Sequence, residues 1–418
     1  MTNSFQTSLE LTYGAAGRFV CQIDAQRIVE YRQAPPACND VSAALRAALA
    51  QPLDFPPLAQ AVVPGDHLVL ALDRHTPQAP TLVAEIWKVL ESRQIEPEDV
   101  TVLQPAALER GPLPDPRGQL PASVSGRVCW KTHDPLDESQ RGYLASTANG
   151  ERVYLARELI EADCSIAVGM IAFDPVLGVR GTSSVFFPGL STVEAVARSH
   201  GLGHSELEPN DERPLRQMID EIAWLLGTQF AVQVVSASQD RVFSVLAGAS
   251  EPVFRCGKQL LAEHCQIALE QRVPLVVVAV DADAAGHGWP QIGAALATAQ
   301  NLVEKGGKIV VLSELAAELD QGMKLIADSK SPRNALQPLR KLAPPDLVAA
   351  SQLATTADWA RVYLLSQLEG DLVERLFMTP LSNEREVARL LKGDEECVFV
   401  ESAQHTYGRI GKSSRVVG

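Results

Sequence analysis

The sequence predicts an α/β fold of two domains, with parallel or mixed sheets flanked by helices and a cleft between the domains. Three observations lead to this prediction. The 418 residues exceed what one hydrophobic core ordinarily holds. Short apolar runs alternate with helical patterns, which is typical of parallel strands joined by helices. The alternation restarts near residue 251, so we predict an N-terminal domain over residues 1–250 and a C-terminal domain over residues 251–418.

The elements of the first predicted domain follow from hydrophobic periodicity. Buried strands are predicted at HLVLALD (67–73), VTVLQP (100–105) and CSIAVGMIAF (164–173). The segments TLVAEIWKVLESR (81–93) and PLRQMIDEIAWLLG (214–227) have the period of amphipathic helices. Further along, FAVQVVS and VFSVLAG predict a pair of adjacent strands, and Ser191 to Glu194 has the pattern of a capping box that begins a helix.

The second predicted domain repeats this alternation. It begins with a helix over GKQLLAEHCQIALEQ (257–271), which is followed by a strand at PLVVVAVD (274–281). A Gly-rich turn leads to a helix over residues 291–304, and GKIVVLSE (307–314) predicts the next strand.

Composition excludes several classes of function. The net charge of −14 argues against binding to nucleic acid or to anionic membranes, because a phosphate surface requires a basic face. The N-terminal residues lack the apolar core of a signal peptide, and no apolar run reaches the roughly 20 residues that span a bilayer. The seven cysteines are scattered and form no C-x-x-C pair, so we expect reduced thiols and a cytoplasmic protein.

The stretch GMIAFDPVLGVRGTSSVFFPG (169–189) runs from a predicted strand into a loop with three glycines, Gly178, Gly181 and Gly189. Such a loop is typical of a ligand site, yet it contains no lysine, histidine or cysteine. It also lacks the Lys-Ser/Thr pair of a phosphate-binding P-loop. Its type of chemistry is therefore not evident from the loop alone.

Polar residues at the carboxyl ends of the predicted strands are the candidate functional residues, because ligands of open α/β sheets bind there. They are Asp73 to Pro77, Glu109 with Arg110, Asp174, and residues 287–291 of the second domain. Each also has a structural interpretation. Asp73 before a turn is often a cap, Asp174-Pro175 is a common turn dipeptide, and His200 suits the carbonyl end of a helix.

Several motifs, in order and spacing, resemble the nickel-dependent lactate racemase family. Leu11 to Gly14 is similar to an LPYG-like opening motif, and Asp73 to Pro77 is similar to an Asp-His-Thr-Arg-Pro motif. The segments His133 to Pro135 and 149–169 resemble the middle of the family's sequences. Phe187-Pro188-Gly189 resembles the Leu-Pro-Gly that ends the loop, and the similarity continues to residues 302–314.

The resemblance implies a nickel-pincer nucleotide, which family members hold as a thioamide on a lysine, with nickel also bound by a histidine. Two further histidines act as acid and base on opposite faces of a 2-hydroxy acid. Imidazole suits this role because it titrates near neutral pH. The nickel-binding histidine falls on His200 and a substrate-binding glutamine falls on Gln291. The cofactor-binding positions implied for this chain are Asp73, Arg74, Thr76, Gly178, Gly181 and Ser184.

The chain departs from the family pattern at the positions that carry the chemistry. Ser184 stands where the lysine is expected and has no amine for a thioamide, so covalent attachment of the nucleotide is not expected. The two acid–base histidines fall on Glu109 and Asp174, and the second domain's substrate-binding lysine falls on Ala294. The arginine of the Asp-His-Thr-Arg-Pro motif falls on Thr76, with Arg74 close by.

Three functions remain open from the sequence. The first is a racemase or epimerase of a 2-hydroxy acid or a sugar acid, distinct from an ordinary lactate racemase, with the nucleotide held non-covalently and Glu109 and Asp174 as bases. The second is a different metal enzyme, whose oxygen and imidazole ligands for Mn, Fe or Zn are Asp73, His75, Glu109, Asp174 and His200. The third is a non-catalytic ligand-binding or assembly protein on the same scaffold.

Overall fold

A computed structural model describes residues 6–105, 114–199, 207–228 and 230–411. The chain divides into two compact units, a central unit of residues 36–262 and a terminal unit that combines residues 1–35 with residues 263–418. The sequence pattern placed the division at residue 250 and assigned the first 35 residues to the N-terminal domain. In the structure that N-terminal segment packs with the C-terminal residues, because β3 joins the terminal unit's sheet, as described below.

The first strands of the terminal unit are β1 (Gln6–Tyr13), β2 (Gly17–Asp24) and β3 (Ile28–Arg32). β1 and β2 form an antiparallel hairpin in which Tyr13 lies opposite Gly17. Alternate residues of the hairpin, such as Leu11 and Phe19, are buried, as expected for a sheet with one face on the core.

The central unit begins with α1 (Val41–Ala50) and α2 (Leu58–Ala61). The elements that follow are, in chain order, β4 (Leu68–Leu72), α3 (Ala79–Ser92), β5 (Val100–Gln104), α4 (Ala122–Ser125), β6 (Cys129–Thr132), β7 (Arg141–Ser146), β8 (Arg152–Ala156), α5 (Arg157–Glu161), β9 (Cys164–Met170), β10 (Ala172–Asp174), β11 (Gly178–Arg180), α6 (Val193–Ser199), α7 (Pro214–Leu226), β12 (Phe230–Ser236), β13 (Val242–Ala249) and α8 (Ser250–His264).

The central unit's main sheet has the strand order β13-β12-β9-β4-β5-β6. All neighbours are parallel except β12 and β13, which form the antiparallel pair that the sequence predicts. The chain extends the sheet from β4 to β5 and β6 on one side and later adds β9 and β12 on the other. The strand order therefore reverses between β4 and β9, and such a switch point is where doubly wound sheets bind ligands.

The rest of the terminal unit comprises β14 (Gln266–Leu269), β15 (Val273–Ala279), α9 (Trp289–Leu302), β16 (Val303–Leu312), α10 (Gln321–Ala327), α11 (Pro332–Leu342), α12 (Leu347–Trp359), β17 (Arg361–Leu365), α13 (Gly370–Arg375), β18 (Thr379–Leu381), α14 (Glu384–Leu390), β19 (Cys397–Val400) and β20 (Tyr407–Ile410). Its six-stranded sheet has the order β18-β17-β16-β15-β19-β3 and is parallel throughout. Here the order reverses between β15 and β19.

Two sequence predictions about local structure are wrong. The helix predicted over residues 257–271 ends at His264, and Gln266–Leu269 is a strand that pairs in parallel with β20. Burial in that strand alternates from residue to residue, so its period is that of a strand rather than a helix. Ser191 does not cap α6, because its hydroxyl donates to the carbonyl of Tyr154; Thr192 accepts from the N–H of Ala195 instead.

The class of fold predicted from the sequence is confirmed, with parallel and mixed sheets flanked by helices. Each six-stranded sheet packs on its own apolar cluster. All seven cysteines are free thiols. Throughout the described ranges, each helix is too short or too polar to cross a lipid bilayer.

Candidate functional site

The carboxyl ends of β4 and β9 lie side by side at the central unit's switch point and position Asp73. The backbone N–H of Asp73 donates to the carbonyl of Val168 at 2.8 Å, which extends the β4–β9 pairing past the end of β4. The carboxylate oxygen Oδ2 lies 3.5 Å from Nη1 of Arg180 on β11. Both side chains are about three-quarters buried, with 24% and 25% of their surface exposed, so the pair is shielded from water on most sides.

The turn after Asp73 contains the other cofactor-binding residues predicted for this strand end. The hydroxyl of Thr76 donates to the carbonyl of Asp73 at 2.8 Å, and Thr76 is only 4% exposed, so this side chain shapes the turn. Nη1 of Arg74 lies 3.4 Å from the carbonyl of Pro105, at the end of β5. His75 is half-buried between them.

The loop from residue 174 begins as a short hairpin, in which Asp174 on β10 lies opposite Gly178 on β11. The carboxylate oxygen Oδ1 of Asp174 accepts hydrogen bonds from the N–H groups of Val176 and Leu177 at 2.8 and 2.7 Å. One oxygen of this predicted catalytic residue therefore stabilises the turn. The other oxygen, Oδ2, has no partner within the described parts of the chain and is available to a ligand.

Two glycines of the loop are required by close packing. Gly178 has φ +76°, and a Cβ atom there would overlap the carbonyl of Pro209 and the guanidinium of Arg213. Gly181 has φ +133°, and a Cβ atom there would lie 2.7 Å from Ile171 and 3.2 Å from Oε1 of Gln233. Their small size therefore lets the loop lie against neighbouring chain segments.

Ser184, which the sequence analysis placed at the position of the family's lysine, lies in a short 3₁₀ turn (Thr182–Val185). Its hydroxyl oxygen accepts a hydrogen bond from the N–H of Gly181 at 2.9 Å, and its own N–H donates to the carbonyl of Gly181 at 3.2 Å. The side chain thus closes the loop on itself. Because it has no amine and its oxygen is already bound, this position does not fit covalent attachment of the nucleotide.

A buried glutamine that the sequence analysis missed fixes the base of the loop. Gln233 lies on β12 and is fully buried. Its Oε1 accepts from the N–H of Thr182 at 3.0 Å, and its Nε2 donates to the carbonyl of Ala167 at 3.1 Å. A polar residue inside the apolar run FAVQVVS was the available signal, since a buried amide must find hydrogen-bond partners.

The two remaining residues predicted in this region, Glu109 and His200, lie outside the described residues. Their predicted roles as a base and a nickel ligand stay predictions. The described residues contain no group of three or more His, Cys, Asp or Glu side chains arranged to hold a metal ion.

The terminal unit has a polar cluster at its own switch point, and Gln291 is part of it. Gln291 is 6% exposed and lies in the first turn of α9. Its Oε1 accepts from the N–H of Gly288 at 3.0 Å, and its Nε2 donates to Oδ1 of Asp283 at 3.1 Å. The predicted substrate-binding amide is therefore engaged within the unit.

Asp283 also contacts the residues that follow β19. Its Oδ2 lies 3.2 Å from Nε2 of His405, and its Oδ1 accepts from the N–H of Ala285 at 2.8 Å. Burial alone would raise the pKa of Asp283. The contact with His405, aided by the hydrogen bonds from Ala285 and Gln291, outweighs burial and holds that pKa below its ordinary value.

The Leu11–Gly14 motif also ends at this edge of the sheet. Gly14 donates to the carbonyl of Val280 at 2.8 Å and accepts from the N–H of Ala282 at 3.0 Å. The carboxylate of Glu314, just after β16, accepts from the N–H of Ala15 at 2.7 Å. Gly14 has φ +58°, and a Cβ atom there would overlap that carboxylate, so this position favours glycine.

His287 connects the same loops. Its Nε2 accepts from the N–H of Glu314 at 2.9 Å, so its Nδ1, 3.0 Å from the carbonyl of Asp281, must carry the proton. Both ring nitrogens are therefore used to join the ends of β15 and β16.

Three cysteines are poor nucleophiles because of burial. Burial raises the pKa of Cys164 and of Cys397 to about 11 and that of Cys265 to about 12. These thiols are protonated at neutral pH and are correspondingly unreactive.

Comparison with known proteins finds a family match in the first half of the chain. Residues 13–210 match the family model described as the lactate racemase N-terminal domain. This segment is therefore similar to the lactate racemase N-terminal domain. The resemblance predicted from the sequence is thus confirmed, and it covers the motifs at Tyr13-Gly14, Asp73 to Pro77 and Phe187 to Gly189.

Solved structures extend the likeness to the whole length. The chain is similar to the lactate racemase apoprotein from Thermoanaerobacterium thermosaccharolyticum, with a TM-score of 0.78 and 17% identity over 96% of this chain and 100% of that one. It is also similar to a Thermotoga maritima protein, with a TM-score of 0.62 and 12% identity over 88% and 97%. At these identities the likeness shows the lactate racemase fold alone. No curated protein matches the sequence.

Proposed function

We propose that this protein is a racemase or epimerase of 2-hydroxy acids or sugar acids and lacks ordinary lactate racemase activity. The observation that carries this proposal is the loop 174–189. It has the lactate racemase framework, with Ser184 closed onto Gly181 where an amine would be needed. A nickel-pincer nucleotide would supply hydride transfer in the family, but its covalent form does not fit here.

The residues of the loop support proton transfer on a hydroxy acid. Asp174 is held by the N–H groups of Val176 and Leu177 on one oxygen, which fixes the direction of the other. In this proposal Oδ2 accepts the proton of a substrate hydroxyl. In this proposal Glu109 is the opposing base, and the pair replaces the two histidines of the family.

The pair of Asp73 and Arg180 supports recognition of an acidic substrate or cofactor. Arg180 was not a candidate from the sequence, but its guanidinium lies 3.5 Å from the carboxylate of Asp73, the first residue of the motif. A guanidinium suits this role because its planar donors match a carboxylate or a phosphate. The arginine of the family motif falls on Thr76, which is uncharged. We propose that Arg180 supplies the positive charge for binding in its place.

The proposal is tested by chiral chromatography of single enantiomers of lactate, glycerate, malate and gluconate after long incubation with the protein. The protein would be produced together with the enzymes that synthesise the pincer nucleotide, and Asp174→Asn would be the matched control. We expect inversion at Cα of at least one acid other than lactate, and its loss in the variant. Lactate racemisation at an ordinary enzymatic rate, or no inversion in the panel, would contradict the proposal.

A second candidate is a non-catalytic ligand-binding protein on the same scaffold. Gln291 favours this candidate, because both atoms of its amide are hydrogen-bonded inside the terminal unit and the residue is almost fully buried. Its amide is therefore not free for the substrate-binding role that the resemblance implies. Binding of an acid from the panel without inversion, measured by calorimetry, would support this candidate.

A further inference from the structure

The central unit contains a cavity to which neither the family resemblance nor the proposed function assigns a role. Its volume is about 410 Å³, within the range of pockets that hold drug-sized ligands. Cys164, the first residue of β9, and Phe230, the first residue of β12, lie in its wall. The cavity is therefore at the amino ends of these strands, whereas Asp73 lies past the carboxyl end of β4. The length of β4, roughly 15 Å, separates the two edges of the sheet.

Most side chains in the wall of the cavity are apolar. Phe55 and Phe230 pack edge to face, with their ring centroids 5.2 Å apart, and Leu58 beside them is fully buried. Leu144 on β7 and Leu226 on α7 are only half-buried, so they leave apolar surface uncovered in the cavity. Burial of such surface against an apolar ligand is favourable, because it removes the surface from water.

A carboxylate lies where the cavity meets solvent. Asp163 is one of the lining residues, and its side chain is 57% exposed. Its Oδ2 accepts a hydrogen bond from the backbone N–H of His67 at 2.9 Å, whereas its Oδ1 has no partner within the described ranges. The hydrogen bonds from His67 hold the pKa of Asp163 below its ordinary value. The carboxylate is therefore ionised at neutral pH and has one oxygen available to a ligand.

The negative charge at the opening acts on the interior of the cavity. Burial raises the pKa of the Cys164 thiol to about 11, and the charges of Asp66 and Asp163 add to this rise. Among the described residues that line the cavity there is no lysine or arginine. The field therefore opposes an anionic ligand and favours a cationic one.

A buried hydroxyl in the wall is without a hydrogen bond. Oγ1 of Thr228 has no partner in the described parts of the chain, although the large majority of buried polar side-chain atoms have one. Thr228 comes just before β12 and Asp163 just before β9, and these strands pair in parallel from Phe230 opposite Ile166. The two polar side chains therefore belong to the same edge of the sheet. An ammonium group has three donors, which suffice for both oxygens.

We propose that this cavity binds a small primary amine, whose ammonium group lies between Asp163 and Thr228 and whose aromatic or aliphatic body contacts the leucine and phenylalanine side chains. The ammonium group supplies the donor that the Thr228 hydroxyl lacks and offsets the charge of the carboxylate. The apolar body covers the exposed surface of Leu144 and Leu226. This site is independent of the proposed function, whose acids carry the opposite charge and are assigned to the other edge of the sheet.

Calorimetry of the full-length protein tests the proposal with three probes that share one body: 3-phenylpropylamine, 3-phenylpropanol and 3-phenylpropanoate. We expect the amine to bind most tightly and the acid least tightly. Asp163→Asn keeps an acceptor for His67 and should weaken amine binding about threefold, as for an exposed ion pair, while the alcohol binds as before. Thr228→Val keeps the shape of the side chain and should weaken both about fivefold, the typical value of one net hydrogen bond. Glu161→Gln removes a nearby exposed charge outside the wall and should bind the amine like the wild type.

A variant that fills the cavity locates the ligand. Ser165 lies in the wall, and Ser165→Leu should abolish amine binding while the thermal unfolding midpoint stays close to that of the wild type. If this variant does not fold, the Asp163 and Thr228 variants decide the question. Amine binding that survives Ser165→Leu, that ignores both Asp163→Asn and Thr228→Val, or that is no tighter than binding of the acid would overturn the proposal. So would the absence of amine binding to the wild type. None of these results depends on inversion of a hydroxy acid.

Discussion

The hydroxyl oxygen of Ser184 accepts a hydrogen bond from the backbone N–H of Gly181 at 2.9 Å. This bond gives the loop 174–189 a closed turn at the position where the lactate racemase family is expected to carry its lysine. The closed turn and the serine in place of the expected lysine are thus two aspects of one local structure. The stability of the loop and its chemistry can therefore be tested with different substitutions.

Removing the Ser184 hydroxyl should weaken the loop. We expect Ser184→Ala to lower the free energy of unfolding by about 1 kcal/mol, because the half-buried N–H of Gly181 loses its partner. Ser184→Thr keeps the hydroxyl and should lose less. Urea denaturation of the three proteins measures the difference, and equal stability of Ser184→Ala and wild type would show that the bond contributes nothing.

Asparagine at position 174 should preserve the turn, whereas alanine should destabilise it. Asp174→Asn keeps an Oδ1 acceptor for Val176 and Leu177, whereas Asp174→Ala removes it and should cost about 1 kcal/mol more. If Asp174 is a base, both variants should lose inversion activity equally. An active Asp174→Asn protein would leave Asp174 as a turn residue only.

Gly178 and Gly227 form a matched pair, since both have φ +76°. Alanine at Gly227 meets no atom within 4 Å, so its cost should be the backbone strain alone, about 1 kcal/mol. Alanine at Gly178 must also displace Pro209 and Arg213, and we expect it to cost at least about 2 kcal/mol more. Thermal unfolding of the two variants measures the gap, and equal midpoints would refute the close packing of the hairpin.

Asp283 should make stability depend on pH in the acid range. Its pKa in the folded protein lies below its ordinary value of 3.8. The stabilisation is therefore complete above that value and is lost as the pH falls through the lower, folded-state pKa. Asp283→Asn should be less stable than wild type at pH 7, and the difference should shrink below about pH 4. Denaturation at pH 7, 5 and 3 tests this, and a gap that widens in acid would contradict it.

Periodicity and strand-end logic predicted much of this architecture because they depend on local sequence. The buried strands 67–73 and 100–105 and the pair FAVQVVS and VFSVLAG appear as expected, and Asp73 lies at a switch point. Partners from distant segments were not predictable. Arg180 reaches Asp73, and His405 reaches Asp283 over more than a hundred residues, only because strand order brings their loops together.

The terminal unit also depends on contacts between segments that are distant in sequence. The sequence pattern grouped residues 1–35 with the domain that follows them, whereas β3 pairs with β19, from the far end of the chain. The Leu11–Gly14 motif was recognised only by its similarity to a family motif. In the structure, the residue after it binds the carboxylate of Glu314, some 300 residues away in sequence. Such contacts follow from topology and not from local period.

The central claim, a lactate racemase framework without its covalent anchor, is tested most directly by intact mass under denaturing conditions. The protein would be produced together with the enzymes that synthesise the pincer nucleotide, with Ser184→Lys as the positive control. We predict the unmodified mass for the wild type and a nucleotide adduct for Ser184→Lys, since only the variant has an amine at that position. An adduct on the wild-type peptide that contains Ser184 would contradict the claim.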